Sequence, residues 1–142
     1  MIYSSVPKWV IKAEHDLKNG RDQLATENPA TDTICFHMQQ CAEKYLKAFI
    51  VAKDKKPART HVISGLLQIC LEMDSEFQTL IDADCNTLTQ YGVLIRYPDD
   101  FYEPTKEETI LAIKLAEQAK EFVLAKLEKL GYSSPTEVKS ED

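Results

Sequence analysis

The residues best suited to chemistry lie in one short segment of the chain, residues 95–104. The segment contains one arginine, two tyrosines and two prolines together with acidic residues, whereas a bland loop would be rich in Gly, Ser and Asn. Arg96 is the central candidate, because a guanidinium binds phosphate through two parallel hydrogen bonds and stabilises negative charge on a phosphoryl group. Tyr97 and Tyr102 are available to stack on a base or contact a hydroxyl. The alternative is structural: Arg96 caps the preceding helix or pairs with a nearby aspartate.

A second set of candidates lies on the strongest predicted helix, at about residues 30–53. Its members are His37, Gln40, Lys44 and Lys47, whose spacing aligns them along one side of a helix. One interpretation is a strip that contacts phosphate or bases opposite Arg96, and the other is a solvated helix edge with the histidine partly covered. We favour the solvated interpretation for Lys47, which can pair at the surface with Glu43. Both interpretations stay open for Lys44.

The other reactive side chains have ordinary structural explanations. His61 begins a short predicted helix, where a histidine more often caps and packs than catalyses. His37 and Cys41 are four residues apart and could share a metal, but no second pair has ligand spacing. The four cysteines form no Cys-x-x-Cys pair and sit among apolar residues, which predicts reduced, buried thiols. We therefore expect neither a metal nor another cofactor.

Helices alone are predicted to position these candidates, which makes the fold all-α. Apolar residues recur at helical spacing in five segments, at about 6–25, 30–53, 61–72, 76–95 and 106–130. The loops are short, so successive helices should be antiparallel neighbours. We expect an up-and-down helical bundle of four long helices plus one short helix. It would form one domain, residues 1–132, followed by a disordered polar tail at residues 133–142.

Capping residues predict where several of these helices begin and end. Residues 75–78 (Ser-Glu-Phe-Gln) and 105–108 (Thr-Lys-Glu-Glu) both have the form of a capping box. Thr60 is a suitable N-cap for the short third helix. Gly131 is well placed to end the last helix.

Length and charge limit the class of protein. The chain has 142 residues and a formal net charge of −6, which argues against a broad, sequence-independent nucleic-acid surface. No apolar run approaches the length of a membrane span, and no charged-then-apolar leader opens the chain. We therefore expect a cytoplasmic protein that does not enter a membrane.

The sequence also resembles a known family, HEPN (higher eukaryotes and prokaryotes nucleotide-binding). Residues 36–48 are similar to the second-helix signature of the family, roughly Gln-Gln-Ala-Ala-Glu-Lys-Ala-Leu-Lys-Ala, and depart from it mainly at Cys41 and Tyr45. The pair at 60–61, Thr-His, looks like the next landmark, and the Arg-Tyr-Pro at 96–98 is similar to the ending of the fourth helix. These landmarks occur in family order.

The resemblance implies an all-helical bundle, often a homodimer, that is frequently paired with a minimal nucleotidyltransferase in a toxin–antitoxin-like system. Several branches of the family are metal-independent ribonucleases whose signature is Arg, four to six residues, then His. Here the corresponding positions hold Phe101, Tyr102 and Glu103, so the histidine is missing. The resemblance therefore favours a nucleotide- or RNA-interacting partner of such a nucleotidyltransferase. The alternatives are a ribonuclease toxin with a degenerate motif and a non-catalytic, protein-binding dimer.

Overall fold

A computed structural model describes residues 5–54, 56, 58–92 and 102–132, and all the regular elements in this part of the chain are helical. The α-helices are α1 (Ser5–Leu24), α2 (Thr31–Asp54), α3 (Ile63–Met73), α4 (Gln78–Asp82) and α5 (Lys106–Lys129). Two 3₁₀ helices, Ser75–Phe77 and Cys85–Tyr91, lie on either side of α4. The predicted all-α bundle is confirmed. The predicted tail, residues 133–142, lies outside the described residues.

Helix α2 lies at the centre of the bundle and packs against α1, α3 and α5. Apolar residues cover most of its circumference, and Tyr45, Leu46 and Phe49 are almost fully buried. The ring of Phe49 packs against that of Phe77 with 4.6 Å between centroids, and Phe77 contacts Phe122 of α5 at 4.8 Å. These aromatic contacts join α2, α5 and the first 3₁₀ helix in one core. Because α2 is surrounded, its remaining polar side chains must find partners on neighbouring elements.

The fourth predicted helix is not the single element expected at residues 76–95. Two 3₁₀ helices and the short α4 replace it, with a break at Asp84, whose φ of 66° is left-handed. Aspartate tolerates this conformation better than most residues, because its short polar side chain can hydrogen-bond locally. The capping box predicted at the start is also wrong, since Asp74 accepts the hydrogen bond from the Glu76 amide at 2.9 Å. Residues 93–95 lie outside the described part of the chain.

Helix α3 begins later than its predicted N-cap, Thr60. The N-cap is Val62, which makes no side-chain capping bond, and the Thr60 hydroxyl instead accepts from the Val62 amide at 3.1 Å. Thr60 therefore stabilises a turn before the helix. As a result His61 lies outside α3, where its ring is not constrained to a helix face.

Both predicted ends of α5 are confirmed. The Thr105 hydroxyl accepts from the Glu108 amide at 3.0 Å, and the Glu108 carboxylate accepts from the Thr105 amide at 2.9 Å, which completes a capping box. At the other end Gly131 has a φ of 100°, and the Tyr132 amide reaches back to the Leu127 carbonyl at 3.0 Å. This is the Schellman arrangement, for which glycine is favoured.

The four cysteines, Cys35, Cys41, Cys70 and Cys85, are free and buried, as predicted. Burial raises the pKa of Cys35 to about 11 and that of Cys70 and Cys85 to about 12. These thiols therefore stay protonated and unreactive at neutral pH. In the described residues no group of three His, Cys, Asp or Glu side chains is placed to hold a metal ion. Among the described helices, none has the length and hydrophobicity that crossing a membrane requires.

Candidate functional site

Arg96 and Tyr97 lie outside the described residues, so the structure locates the positions on either side of them. Gly92, the last described residue before them, lies against α2: a Cβ atom placed on it would be 3.6 Å from the side-chain amide of Gln39. Tyr102, the first described residue after them, donates its hydroxyl to a carboxylate in the first turn of α5. The chain thus leaves the described part beside α2 and returns at the start of α5.

A group of polar side chains lies at this point of departure, and we call it the Glu43 cluster. It consists of Gln39, Glu43 and Lys47 of α2 together with His61. One carboxylate oxygen of Glu43, Oε2, accepts from Lys47 Nζ at 2.9 Å and lies 2.7 Å from His61 Nδ1. The other oxygen accepts from Gln39 Nε2 at 3.1 Å. The same Gln39 amide donates to the carbonyl oxygen of His61 at 3.2 Å.

Two side chains of the Glu43 cluster are buried, and one is exposed to solvent. Glu43 is 5% exposed and Lys47 is 4% exposed, whereas the side chain of His61 is 78% exposed. Burial works against the charged form of Glu43, but the hydrogen bonds from His61, Lys47 and Gln39 outweigh it and hold its pKa below the ordinary value. Glu43 is therefore a carboxylate at neutral pH, and its charge is balanced by buried Lys47.

The contact with Glu43 selects one protonation pattern for the His61 ring. A carboxylate can only accept hydrogen bonds, so the short contact requires the proton on Nδ1. In the neutral ring Nε2 is then the proton acceptor. Lys47 Nζ also lies 3.3 Å from His61 Nδ1. Since both nitrogens donate to the same carboxylate oxygen, this distance is the separation of two donors that share an acceptor.

The prediction that Lys47 lies on a solvated edge is wrong, although its pairing with Glu43 is confirmed. The ammonium group lies 5.7 Å from the centre of the Trp9 ring on α1, so part of its cover comes from a distant element. Gln40, another predicted member of the strip, donates to Gln39 Oε1 at 2.8 Å. The structure therefore connects Gln40 to the Glu43 cluster through an amide.

The remaining two predicted members of the strip belong to a separate group, the Asp16 cluster. Asp16 of α1 is 6% exposed and holds both of them. Its Oδ1 lies 2.8 Å from His37 Nδ1, and its Oδ2 accepts from Lys44 Nζ at 2.5 Å. His37 is partly covered, as predicted. Because the Lys44 charge is offset by an adjacent carboxylate, a phosphate at this position would compete with Asp16.

Tyr102 is exposed, but its hydroxyl already has a partner. It donates to the carboxylate of Glu108, the residue that also completes the capping box of α5. That hydrogen bond, more than burial, raises the pKa of the Tyr102 hydroxyl. A proton acceptor at neutral pH is therefore a poor role for this side chain, while the exposed ring is accessible for stacking.

Sequence reasoning missed how the two clusters are assembled. The four-residue spacing of Glu43 and Lys47 indicated their pairing, but nothing local showed that Trp9 and His61 would cover them. No sequence spacing indicated the role of Asp16. Its partners are on α2, and they contact it only because α1 packs against α2.

Comparisons with known proteins agree with this architecture. The profile of the HEPN domain family matches residues 6–129. A protein of Methanocaldococcus jannaschii described as "Putative toxin MJ1304" is 30% identical over 129 residues, which cover 81% of this chain and 83% of that protein. The crystal structure of ST0689, an archaeal HEPN homologue, aligns with a TM-score of 0.66 at 27% identity and covers 85% of this chain and 96% of that one.

Proposed function

Because the chain belongs to the HEPN domain family, we propose that it is the nucleotide- or RNA-interacting member of a toxin–antitoxin-like pair, with a minimal nucleotidyltransferase as its partner. The toxin-like half of this proposal is supported by the description of the Methanocaldococcus jannaschii relative. The proposed binding of a nucleotide or RNA is supported by the Glu43 cluster and by the residue types in the segment that contains Arg96.

The Glu43 cluster is the observation that carries the proposal. Burying a carboxylate and an ammonium costs desolvation free energy, and hydrophobic side chains of similar size would often stabilise a core at least as well. In this charged pair Glu43 contacts the exposed His61 and accepts from Gln39. Gln39 in turn lies against Gly92, after which the chain continues to Arg96. Such a placement fits a polar binding site better than it fits a core contact.

In this site Arg96 has the principal role, that of a two-point contact to phosphate. Tyr97 and Tyr102 supply rings for stacking on a base. Lys44 and His37 make secondary contacts, since Asp16 already binds both. Gln40 adds an amide that can hydrogen-bond a base edge.

Isothermal titration calorimetry with ATP, GTP and a short single-stranded RNA tests the site. We expect Arg96→Ala to weaken the binding by about tenfold to a hundredfold, the usual loss for a hydrogen bond to a charged group. Arg96→Lys should recover part of it, because lysine keeps the charge without the two-point geometry. The control is Arg21→Ala, which removes an exposed arginine that pairs with Glu117. An absence of binding heat, or equal affinity for Arg96→Ala and the unchanged protein, would falsify the Arg96 site.

The partner and the oligomeric state need their own measurements. We expect the gene to lie beside one for a small nucleotidyltransferase, and the two proteins to co-purify when they are expressed together. Light scattering on the purified chain should give the mass of a homodimer. Co-purification and a dimer without any ligand binding would instead support the non-catalytic, protein-binding alternative.

A further inference from the structure

We propose that His61 is a nucleophilic histidine that accepts a phosphoryl group at Nε2 from a small, anionic phosphoryl donor. Glu43 is the positioning residue of this modification site, because it acts on the reaction only through the His61 ring. The role does not depend on the proposed binding of RNA. The residues that carry it all lie in the described part of the chain.

The chain has three histidines, and each has a different combination of exposure and carboxylate contact. His61 has both, since its side chain is 78% exposed and its Nδ1 lies 2.7 Å from Glu43 Oε2. His37 has the carboxylate of Asp16 at 2.8 Å, but its side chain is only 28% exposed. His15 is exposed, and its described hydrogen bond is made by the backbone carbonyl, not by the ring. Among the three, His61 is therefore the ring that is both oriented by a carboxylate and open to a reagent.

The contact with Glu43 makes the exposed nitrogen of His61 the nucleophile. A carboxylate can only accept hydrogen bonds, so Nδ1 carries the proton and the lone pair of the neutral ring lies on Nε2. A bond from Nε2 to phosphorus places a positive charge on the ring, and a buried carboxylate behind an imidazole stabilises that charge. Burial opposes the charge of Glu43, but the hydrogen bonds from His61, Lys47 and Gln39 hold its pKa below the ordinary value. The carboxylate is therefore charged when the phosphoryl group arrives.

The ring of His61 is not needed to anchor this part of the chain. Gln39 Nε2 donates to the His61 carbonyl oxygen at 3.2 Å, so the backbone has its own contact to α2. The Lys47–Glu43 pair is likewise balanced in charge without a histidine. The imidazole is therefore an addition to a contact network that is already complete, which favours a chemical role over a structural one.

The charge near His61 favours an anionic reagent. Arg59 lies two residues before His61 and is exposed, and a guanidinium attracts phosphoryl oxygens and can bind two of them at once. The phosphoryl group is therefore the transferable group that suits this surface.

The transfer from phosphoramidate, a donor of this class, needs no other reactant. The lone pair of His61 Nε2 forms a bond to phosphorus while the bond between phosphorus and the donor nitrogen breaks. That nitrogen leaves as ammonia with the three hydrogens that it carries in the zwitterionic donor. The proton on Nδ1 stays in its hydrogen bond to Glu43, whose negative charge offsets the new positive charge of the ring.

The test uses potassium phosphoramidate, and peptide mass spectrometry after digestion at alkaline pH measures the phosphoryl group on each histidine. We expect His61 to react about tenfold to a hundredfold faster than His15, the effect usual for the carboxylate behind a metal-binding histidine. His37 should also react more slowly than His61, because it is largely covered. Brief acid treatment should remove the group, since phosphohistidine is acid-labile whereas a phosphate ester is not. If His15 reacts as fast as His61, exposure alone sets the rate and the proposal is refuted.

Glu43→Gln tests the positioning role, because it keeps an oxygen that can accept from Nδ1 but removes the negative charge. The rate at His61 should fall towards that at His15, while the rate at His15 stays the same. The matched control is Glu121→Gln, which changes an exposed glutamate on α5 and should leave the rate at His61 unchanged. An unchanged rate at His61 in a folded Glu43→Gln variant would overturn the proposal. If that variant does not fold, the comparison of the three histidines in the unchanged protein still decides.

Discussion

The Asp16 cluster and the Glu43 cluster contain the same chemistry in two different arrangements. Each has one carboxylate, one lysine and one histidine, and in each the carboxylate is nearly buried. In the Asp16 cluster the histidine and the lysine lie on different carboxylate oxygens and are similarly covered, with side chains 28% and 23% exposed. In the Glu43 cluster one oxygen binds both, the lysine is buried, and the exposure is concentrated on the histidine.

The two clusters have different structural roles. The Asp16 cluster joins two helices, whereas the Glu43 cluster holds one side chain at the surface. Asp16 reaches from α1 to two residues of α2, so its bonds hold the two helices together. Glu43 and Lys47 lie on α2 itself, four residues apart, so their ion pair does not join two helices. Their main external partner is His61, which they orient at the surface. Two clusters with the same residue types can therefore have different roles. Which of their side chains is exposed to solvent indicates the role better than the residue types do.

The largest predicted effect is on stability, and it follows from the burial of Lys47. Glu43→Ala leaves that ammonium group buried without its carboxylate, which should lower the free energy of unfolding by about 3–5 kcal/mol. Asp16→Ala leaves His37 and Lys44 at positions where water can reach them, so its cost should be smaller, about 1–2 kcal/mol. Urea unfolding at pH 7 measures both.

The double variant Glu43→Leu, Lys47→Met is the control for this comparison. It replaces the buried pair by apolar side chains, and it should recover most of the stability lost in Glu43→Ala. A Glu43→Ala variant that is no less stable than Asp16→Ala would show that the Glu43 cluster is more hydrated than its burial indicates. The distinction between the two clusters would then be lost.

The second predicted effect is a dependence of the free energy of unfolding on pH, and it arises from Glu43. The pKa of Glu43 is lowered from its ordinary value of 4.5, so the unfolded chain binds this proton more readily than the folded one. Its contribution to stability is therefore complete above that ordinary value and is lost as the pH falls through the folded pKa. Unfolding in urea between pH 7 and pH 3 should show a steeper loss for the unchanged protein than for Glu43→Gln.

The remaining pH dependence of Glu43→Gln gives the background for that measurement. The pKa of Asp74 is also lowered, chiefly by its hydrogen bond with Lys126, and this affects both proteins equally. The difference between the two curves therefore reports the Glu43 carboxylate together with the contacts that it makes to Lys47 and His61. Parallel curves would contradict the structure, because they would mean that Glu43 has the same pKa in the folded and the unfolded chain.

The sequence could predict those features that depend on neighbours along the chain. The capping box of Thr105 and Glu108 and the stop at Gly131 require only a few consecutive residues, and both were found. The division of the fourth helix was missed because it turns on one left-handed residue, Asp84, within a pattern that is otherwise helical. Periodicity reports which face is apolar, and it does not report the backbone angle of a single position.

The candidate site was harder to predict, because its assembly depends on contacts between distant elements. His37, Gln40, Lys44 and Lys47 share one side of α2, and the expectation of a single strip followed from that spacing alone. The structure divides them between two carboxylates, one on α1 and one on α2 itself. Which of them is buried depends on α1 and on the residues before α3, and their positions cannot be read from the sequence of α2.

The smallest predicted effect concerns Lys44, the member of the Asp16 cluster that was also a candidate for phosphate binding. Lys44→Met keeps much of the side-chain length and removes the charge. We expect it to lower the stability by less than about 1 kcal/mol, since its ammonium group is partly hydrated, and to weaken RNA binding by about twofold. Arg96→Ala should weaken that binding far more. If Lys44→Met instead reduced the affinity as much as Arg96→Ala, Lys44 would be a principal phosphate contact, and Asp16 would have to release it when RNA binds.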